Sequence, residues 1–169
     1  MSQVALPAPG PVGFCGKIPA ERDFVRVNAG AFLRAGLDRW FQEGVEHLQG
    51  AGLPAEPACF LLSPAASAQS FIGAFAPSAD AIGRAFSVVI FAALEQPLCA
   101  DVWLVPLRLA SFLQAGARLA TAAPTLTANQ LVAEIGALAS GFRAVVQMPD
   151  VSAMLARFRW ADFGAVLGG

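Results

Sequence analysis

The side chains best suited to bind another molecule lie in one stretch near the start of the chain, residues 13–24. This stretch contains Lys17, the only lysine among 169 residues, and it is interrupted by two glycines and by Pro19. Proline fixes its own φ and biases the preceding residue towards extended geometry, so we predict a short strand at 12–15 and then a tight turn. Rigid charged loops are frequent contact surfaces. The predicted partner-binding residues of this loop are Lys17, Glu21, Arg22, Asp23 and Phe24.

Patterns that indicate catalysis or a cofactor are incomplete in this sequence. A phosphate-binding loop needs a glycine where Pro11 stands and a serine or threonine where Ile18 stands. The single histidine, His47, lies on a predicted helix close to two glutamates, where a solvated position is the simpler interpretation. No group of His, Cys, Asp and Glu has the spacing of metal ligands. We therefore predict a protein that is not an enzyme, with no catalytic residue, metal or cofactor.

The composition is unusually apolar for a chain that the sequence predicts to be soluble. Hydrophobic residues make up 56% of the chain and charged residues 14%, against roughly 45–50% and about 25% in an average soluble protein. The formal net charge is −1, so the basic surface typical of nucleic-acid binding is missing. The apolar excess predicts a well-buried sheet or a surface that contacts another protein.

Several features predict a cytoplasmic protein. The longest uncharged run, residues 57–79, contains prolines, a glycine and serines, so it does not resemble the ~20 apolar residues of a membrane span. The first eleven residues lack the basic start of a signal peptide. The three cysteines, Cys15, Cys59 and Cys99, are single and widely spaced. We expect them to be buried thiols in a reducing compartment.

The pattern of apolar residues predicts an α/β fold. Three apolar runs at 58–62, 70–76 and 85–94 are separated by turn residues, which indicates strands joined by short connections. The third run is almost entirely apolar, so we predict a central strand buried on both faces. A strand covered on both sides needs helices on both sides. The prediction is a three-layer α/β/α sandwich around a largely antiparallel or mixed sheet.

Helices are predicted before and after these strands. The first runs over 28–49, with Asn28 as its N-cap and a stripe of apolar residues that includes Trp40. After the strands, one helix ends at Ala123-Pro124 and another begins at a capping box at 127–130. A short last helix near 154–158 is followed by Trp160 and Phe163, which we expect to cover an edge of the core. We predict a flexible arm at 1–11 and a single domain at 12–169.

Several segments, in one order along residues 12–94, resemble the TagF (ImpM-type) family, whose members are accessory proteins of bacterial type VI secretion systems. The first resembles the family's Gly-aromatic-aromatic-Gly-Lys-Leu/Ile-Pro run, and the next its Gly-Asp-Phe. Later segments resemble its Asp-x-Trp-like segment, its Leu-Ser-Pro turn and its Asp-x-Val-Gly-Arg-x-Phe-Pro segment. In this sequence they read Gly13-Phe14-Cys15-Gly16-Lys17-Ile18-Pro19, Arg22-Asp23-Phe24, Asp38-Arg39-Trp40, Leu62-Ser63-Pro64 and Asp80-Ala81-Ile82-Gly83-Arg84-Ala85-Phe86-Ser87.

The resemblance implies a cytoplasmic, non-enzymatic regulator that represses the secretion system after translation. It implies that the partner is the forkhead-associated (FHA) scaffold protein of that system, and it implies the same α/β/α fold. On this interpretation the turn at Gly83 and Arg84 joins the loop at 17–24 in one partner surface.

Two alternatives follow from the residues themselves. The chain could instead be a small ligand-sensing or enzymatic domain with a pocket near Gly16 and Arg84. Independently, Asp23 and Arg84 could form an ion pair that fixes the loop to the sheet without touching a partner, because a buried pair can have a purely structural role.

Overall fold

The computed structural model of the chain describes residues 9–48, 55–65, 67–95 and 104–146. They form five strands and five α-helices. The strands are β1 Pro9–Gly16, β2 Val25–Val27, β3 Ala58–Leu62, β4 Gln69–Ala79 and β5 Ala85–Glu95. The helices are α1 Gly30–Arg34, α2 Leu37–Leu48, α3 Leu104–Arg108, α4 Ala110–Ala122 and α5 Ala128–Val146, with a 3₁₀ turn at Ala123–Thr125.

The strands form one antiparallel sheet in the order β2-β1-β5-β4-β3. The most apolar strand, β5, lies in the centre, where Val89 is opposite Cys15 of β1 and Phe75 of β4. This confirms the predicted central strand and the three predicted apolar strands. β1 begins at Pro9 and is longer than the strand predicted at 12–15. Residues 9–11, predicted as the end of a flexible arm, therefore belong to β1. Residues 1–8 lie outside the described part of the chain, so for them the arm stays a prediction, as does the single domain at 12–169.

Helices cover both faces of the sheet, which confirms the three-layer α/β/α fold. Side chains on a strand alternate between faces: Val88 and Ile90 pack with α3–α5, whereas Val89 and Phe91 pack with α1 and α2. The α1–α2 face is rich in phenylalanine. Phe32 stacks on Phe91 with ring centroids 4.3 Å apart.

The predicted helix at 28–49 is wrong in its start and in its continuity. Two helices stand there, separated at Gly36, whose φ of +71° is unfavourable for residues with a Cβ. Asn28 is not an N-cap. It has a φ of +49°, and its Nδ2 donates a hydrogen bond of 2.8 Å to the Val12 carbonyl oxygen. Trp40 is 56% exposed and lies at the margin of the apolar stripe, with its ring packed edge-on against Phe41.

The second half of the described chain follows the sequence pattern closely. The predicted capping box is present. The backbone N–H of Thr127 donates to Gln130 Oε1 at 2.9 Å, and the backbone N–H of Gln130 approaches Thr127 Oγ1 at 3.4 Å. The predicted helix stop at Ala123-Pro124 is the 3₁₀ turn. The short helix predicted at 154–158, with Trp160 and Phe163, lies outside the described residues.

The prediction of buried cysteines is only partly right. Cys15 is buried in the sheet, and this burial, with a smaller effect of Asp38, raises the pKa of its thiol to about 11. Cys59 is exposed, because it lies on β3, an edge strand with a neighbour on one side only. Cys99 lies outside the described residues.

Candidate functional site

The two segments predicted to bind a partner meet at one end of the sheet. β1 ends at Gly16, which is opposite Val88 near the start of β5, so the chain leaves β1 beside that strand. We call residues 17–24 the β1–β2 loop and residues 80–84 the β4–β5 turn. The Ser78 hydroxyl, just before the turn, donates a hydrogen bond of 2.8 Å to the Lys17 carbonyl oxygen. The loop and the turn are therefore neighbours in space although they are distant in sequence.

The carboxylate of Asp80 organises the β4–β5 turn. Its Oδ1 accepts hydrogen bonds from the backbone N–H groups of Ile82 (3.0 Å) and Arg84 (2.9 Å), and its Oδ2 accepts one from Arg84 Nε (2.7 Å). Aspartate favours such turns because its short side chain reaches backbone groups two residues further on. Gly83 supplies the φ of +82° that the turn requires.

Lys17 is the second cation that pairs with the Asp80 carboxylate, and its side chain is buried. Its Nζ is 3.5 Å from Asp80 Oδ2, and only 7% of the residue is exposed. The ammonium lies 4.1 Å from the ring centroid of Phe86 and 5.1 Å from that of Phe24. Contacts of this kind between a cation and a ring face are attractive, more so when they are shielded from water. Lys17, one of the predicted partner-binding residues, is therefore not on the surface of the loop, because a carboxylate from another segment pairs with it.

Two arginines continue this arrangement to the surface. The guanidinium of Arg26 lies 5.1 Å from the ring of Phe24, and that of Arg84 lies 5.9 Å from the ring of Phe86. The two rings meet edge to face with centroids 5.5 Å apart. Cations and rings thus alternate across the end of the sheet. We call Lys17, Phe24, Asp80, Arg84 and Phe86 the Asp80 cluster.

Asp80 is ionised in this cluster although it is buried. Burial by itself opposes ionisation and raises the pKa of the carboxyl group. The hydrogen bonds from the backbone and side chain of Arg84 and from the backbone of Ile82, with the charge of Arg84, outweigh that effect. Together they lower the pKa of Asp80 from 3.8 to about 2. At neutral pH the turn is therefore built around a carboxylate.

The predicted pair between Asp23 and Arg84 does not form. Arg84 bonds to Asp80, four residues away in the same turn, and Asp23 is exposed. Arg84 pairs with Asp80 rather than with Asp23 because the turn already holds Asp80 and Arg84 close together, so little further ordering of the chain is needed. Glu21 and Phe24 are half-buried. The exposed residues of the loop and the turn are Pro19, Ala20, Arg22, Asp23, Ala81, Ile82, Gly83 and Arg84.

Sequence reasoning missed three residues of this site as functional candidates: Asp80, Phe86 and Arg26. Asp80 and Phe86 both stand in a segment that carries the family resemblance. The spacing of Asp80, Gly83 and Arg84 contains the needed signal, because an aspartate three residues before a glycine is typical of a side-chain-bonded turn. The position of Arg26 over a ring has no local signal, since it depends on how β2 joins the sheet.

The cavities near the site are small or open. A void bordered by Cys15, Gly16 and Phe24 has a volume of about 10 Å³, roughly the room that one water molecule needs. An open depression of about 640 Å³ lies beside Arg84 and Phe86. A groove of about 680 Å³ separates α4 from α5 on the far layer. Within the described residues, no three His, Cys, Asp or Glu side chains are grouped to hold a metal ion.

None of the helices in the described ranges combines the length and the apolar character needed to span a membrane.

Residues 13–138 match the family described as the TagF N-terminal domain, type VI secretion system-associated. The chain belongs to this family, which confirms the resemblance seen in the sequence, and it is a type VI secretion system-associated protein.

Solved structures with a similar fold include the crystal structure of PA0076 from Pseudomonas aeruginosa PAO1. The TM-score is 0.53 and the sequence identity 24%, over 82% of this chain and 63% of that chain. The chain thus covers less than two thirds of PA0076, and at this identity the likeness is one of fold. No curated protein sequence matches the chain.

Proposed function

We propose that this protein is a non-enzymatic, cytoplasmic repressor of a type VI secretion system that acts by binding the FHA scaffold protein of that system. The family supplies the link to the secretion system. The contact surface that we propose consists of the exposed parts of the β1–β2 loop and the β4–β5 turn. A ligand-sensing function is less well supported, because the void beside Gly16 holds only about 10 Å³ and the depression of about 640 Å³ beside Arg84 is open to solvent rather than enclosed.

The observation that carries this proposal is the division of the two segments into a buried and an exposed part. Lys17 and Asp80 are buried and join the loop to the turn. Arg22 and Asp23 in the loop, and Gly83 and Arg84 in the turn, are exposed. Lys17 therefore supports the surface rather than forming it, whereas the exposed side chains of Arg22 and Asp23 make no contact that the fold requires. Arg84 is bound to Asp80 through its Nε, but 60% of its side chain is exposed.

A charge exchange in the loop tests the proposal. The variant Arg22→Glu/Asp23→Arg keeps the net charge and changes only exposed side chains, so stability should stay within about ±0.5 kcal/mol. Its affinity for the purified FHA scaffold, measured by calorimetry, should fall by at least about tenfold, or ~1.4 kcal/mol. Repression of secretion should be lost with it.

The matched control is the exchange Arg118→Glu/Glu134→Arg. Both residues are exposed beside the α4–α5 groove, in the helical layer formed by α3–α5. This variant should bind and repress as the wild type does. A folded loop variant that binds the scaffold with wild-type affinity would exclude the loop as the interface.

A further inference from the structure

Ile82, at the tip of the β4–β5 turn, is the most exposed large apolar side chain of the described residues. It is 76% exposed, compared with 56% for Trp40 and 51% for Val132. A single exposed apolar residue is ordinary on a protein surface. Ile82 differs from Val132, which lies on α5, in that it stands on a turn whose backbone is bound by a buried carboxylate.

The turn that carries Ile82 is fixed from below by charged groups. The backbone N–H of Ile82 itself donates to Asp80 Oδ1, and the same carboxylate binds Arg84 and the buried Lys17. These contacts order the backbone of the turn but leave the isoleucine side chain in solvent. Because the turn is ordered before binding, a partner that contacts it does not have to order it.

Arg84 adds a charge next to this apolar tip. Its Nε is bound to Asp80, but 60% of the side chain is exposed and the guanidinium has further N–H donors. Exposed Arg22, on the neighbouring loop, has the same sign, but exposed Asp23 beside it has the opposite one, so the charge at the tip is that of Arg84. Arginine is one of the residue types on which binding energy concentrates at interfaces, and here it stands beside an exposed apolar side chain on an ordered turn.

We propose that Ile82 is the apolar anchor of the partner surface and that it enters an apolar pocket on the partner whose rim carries carboxylates that meet Arg84. This inference rests on the proposed function, since it names the contact that the repressor uses. It assigns a contact to Ile82, which stands where the family segment Asp-x-Val-Gly-Arg has its apolar residue, and it defines the chemistry of the partner's site.

The test compares Ile82→Asn with the matched control Val132→Asn, because both change an exposed β-branched residue to the same polar one. Calorimetry with the purified FHA scaffold should show a loss of affinity of about tenfold to a hundredfold for Ile82→Asn, the loss expected when an isoleucine is no longer buried. Val132→Asn should bind as the wild type does. The affinity of the wild type should fall between roughly 0.05 and 0.5 M salt.

The outcomes separate this inference from the proposed function. If the wild type binds the scaffold and Ile82→Asn binds equally well, the anchor is overturned and the proposed function stands. A wild-type affinity that does not change with salt overturns the acidic rim.

If the wild type does not bind the scaffold, the proposed function fails, and the anchor, which rests on it, is overturned with it.

Discussion

The β4–β5 turn and the β1–β2 loop lie side by side, but they are held in different ways. The turn closes on its own carboxylate, which bonds backbone and side-chain groups no more than four residues away. Within the described contacts of the loop, the only internal backbone bond is that from the N–H of Glu21 to the Ile18 carbonyl oxygen, at 3.0 Å. The loop is fixed instead at its ends, by Lys17 and Phe24.

This difference separates local from long-range order. The turn needs only its own few residues to adopt its shape, whereas the loop needs the carboxylate of a distant hairpin. One aspartate serves both, so changes at Lys17, Asp80 and Asp23 should act very differently although all three carry charge.

The largest effect should come from Lys17→Met, which removes the link between the loop and the turn. Methionine retains apolar packing against Phe86 but leaves Asp80 with one cation. Breaking a buried pair costs ~3–5 kcal/mol, and we expect about 3 kcal/mol because Arg84 still compensates part of the charge. Urea denaturation measures the loss. Arg22→Met, at an exposed position of the same loop, should stay within about ±0.5 kcal/mol. Equal losses for the two variants would mean that the link does not stabilise the protein.

A change with pH should come next, because it removes the charge of the one carboxylate that binds both Arg84 of the turn and Lys17 of the loop. Because the folded protein lowers the pKa of Asp80 from 3.8 to about 2, the carboxylate stabilises the fold above pH 3.8. That contribution is lost as the pH falls towards about 2. The free energy of unfolding of the wild type should therefore approach that of Asp80→Asn across this window. Denaturant melts at several pH values measure the gap, and a gap of constant size contradicts the role of the charge.

The smallest effect should come from the charges that the loop displays. Asp23 is exposed, so Asp23→Ala should cost less than ~1 kcal/mol. In a double-mutant cycle with Arg84→Ala, the coupling energy should lie within ~0.5 kcal/mol of zero. The cycle of Asp80→Ala with Arg84→Ala is the positive control and should show clear coupling. A larger coupling for Asp23 than for Asp80 would restore the pair that the sequence first suggested.

The sequence by itself determined the layers of this protein. The side chains of β5 are apolar on both faces of the strand, so both faces must be buried. The capping box of α5 is a contact among four consecutive residues. Both signals can be recognised in the sequence because each lies within a short stretch of the chain: a strand buried on both faces is a continuous apolar run, and a helix cap involves only the first turn of its helix. The predicted shape of the 28–49 region failed at Gly36, although a glycine with positive φ that follows a helix is a local signal for the end of that helix.

Only the tertiary structure decided the candidate site. A lysine in a charged loop is normally solvated, and nothing within ten residues of Lys17 indicates that it is buried. Its place depends on Asp80, which arrives from another strand pair, and on two rings that shield the ammonium from water. Asp23 and Asp80 are the same residue type, each in a motif of the family. The fold distinguishes them, because burying a charge is favourable only where hydrogen bonds and opposite charges converge on it, and they converge on Asp80.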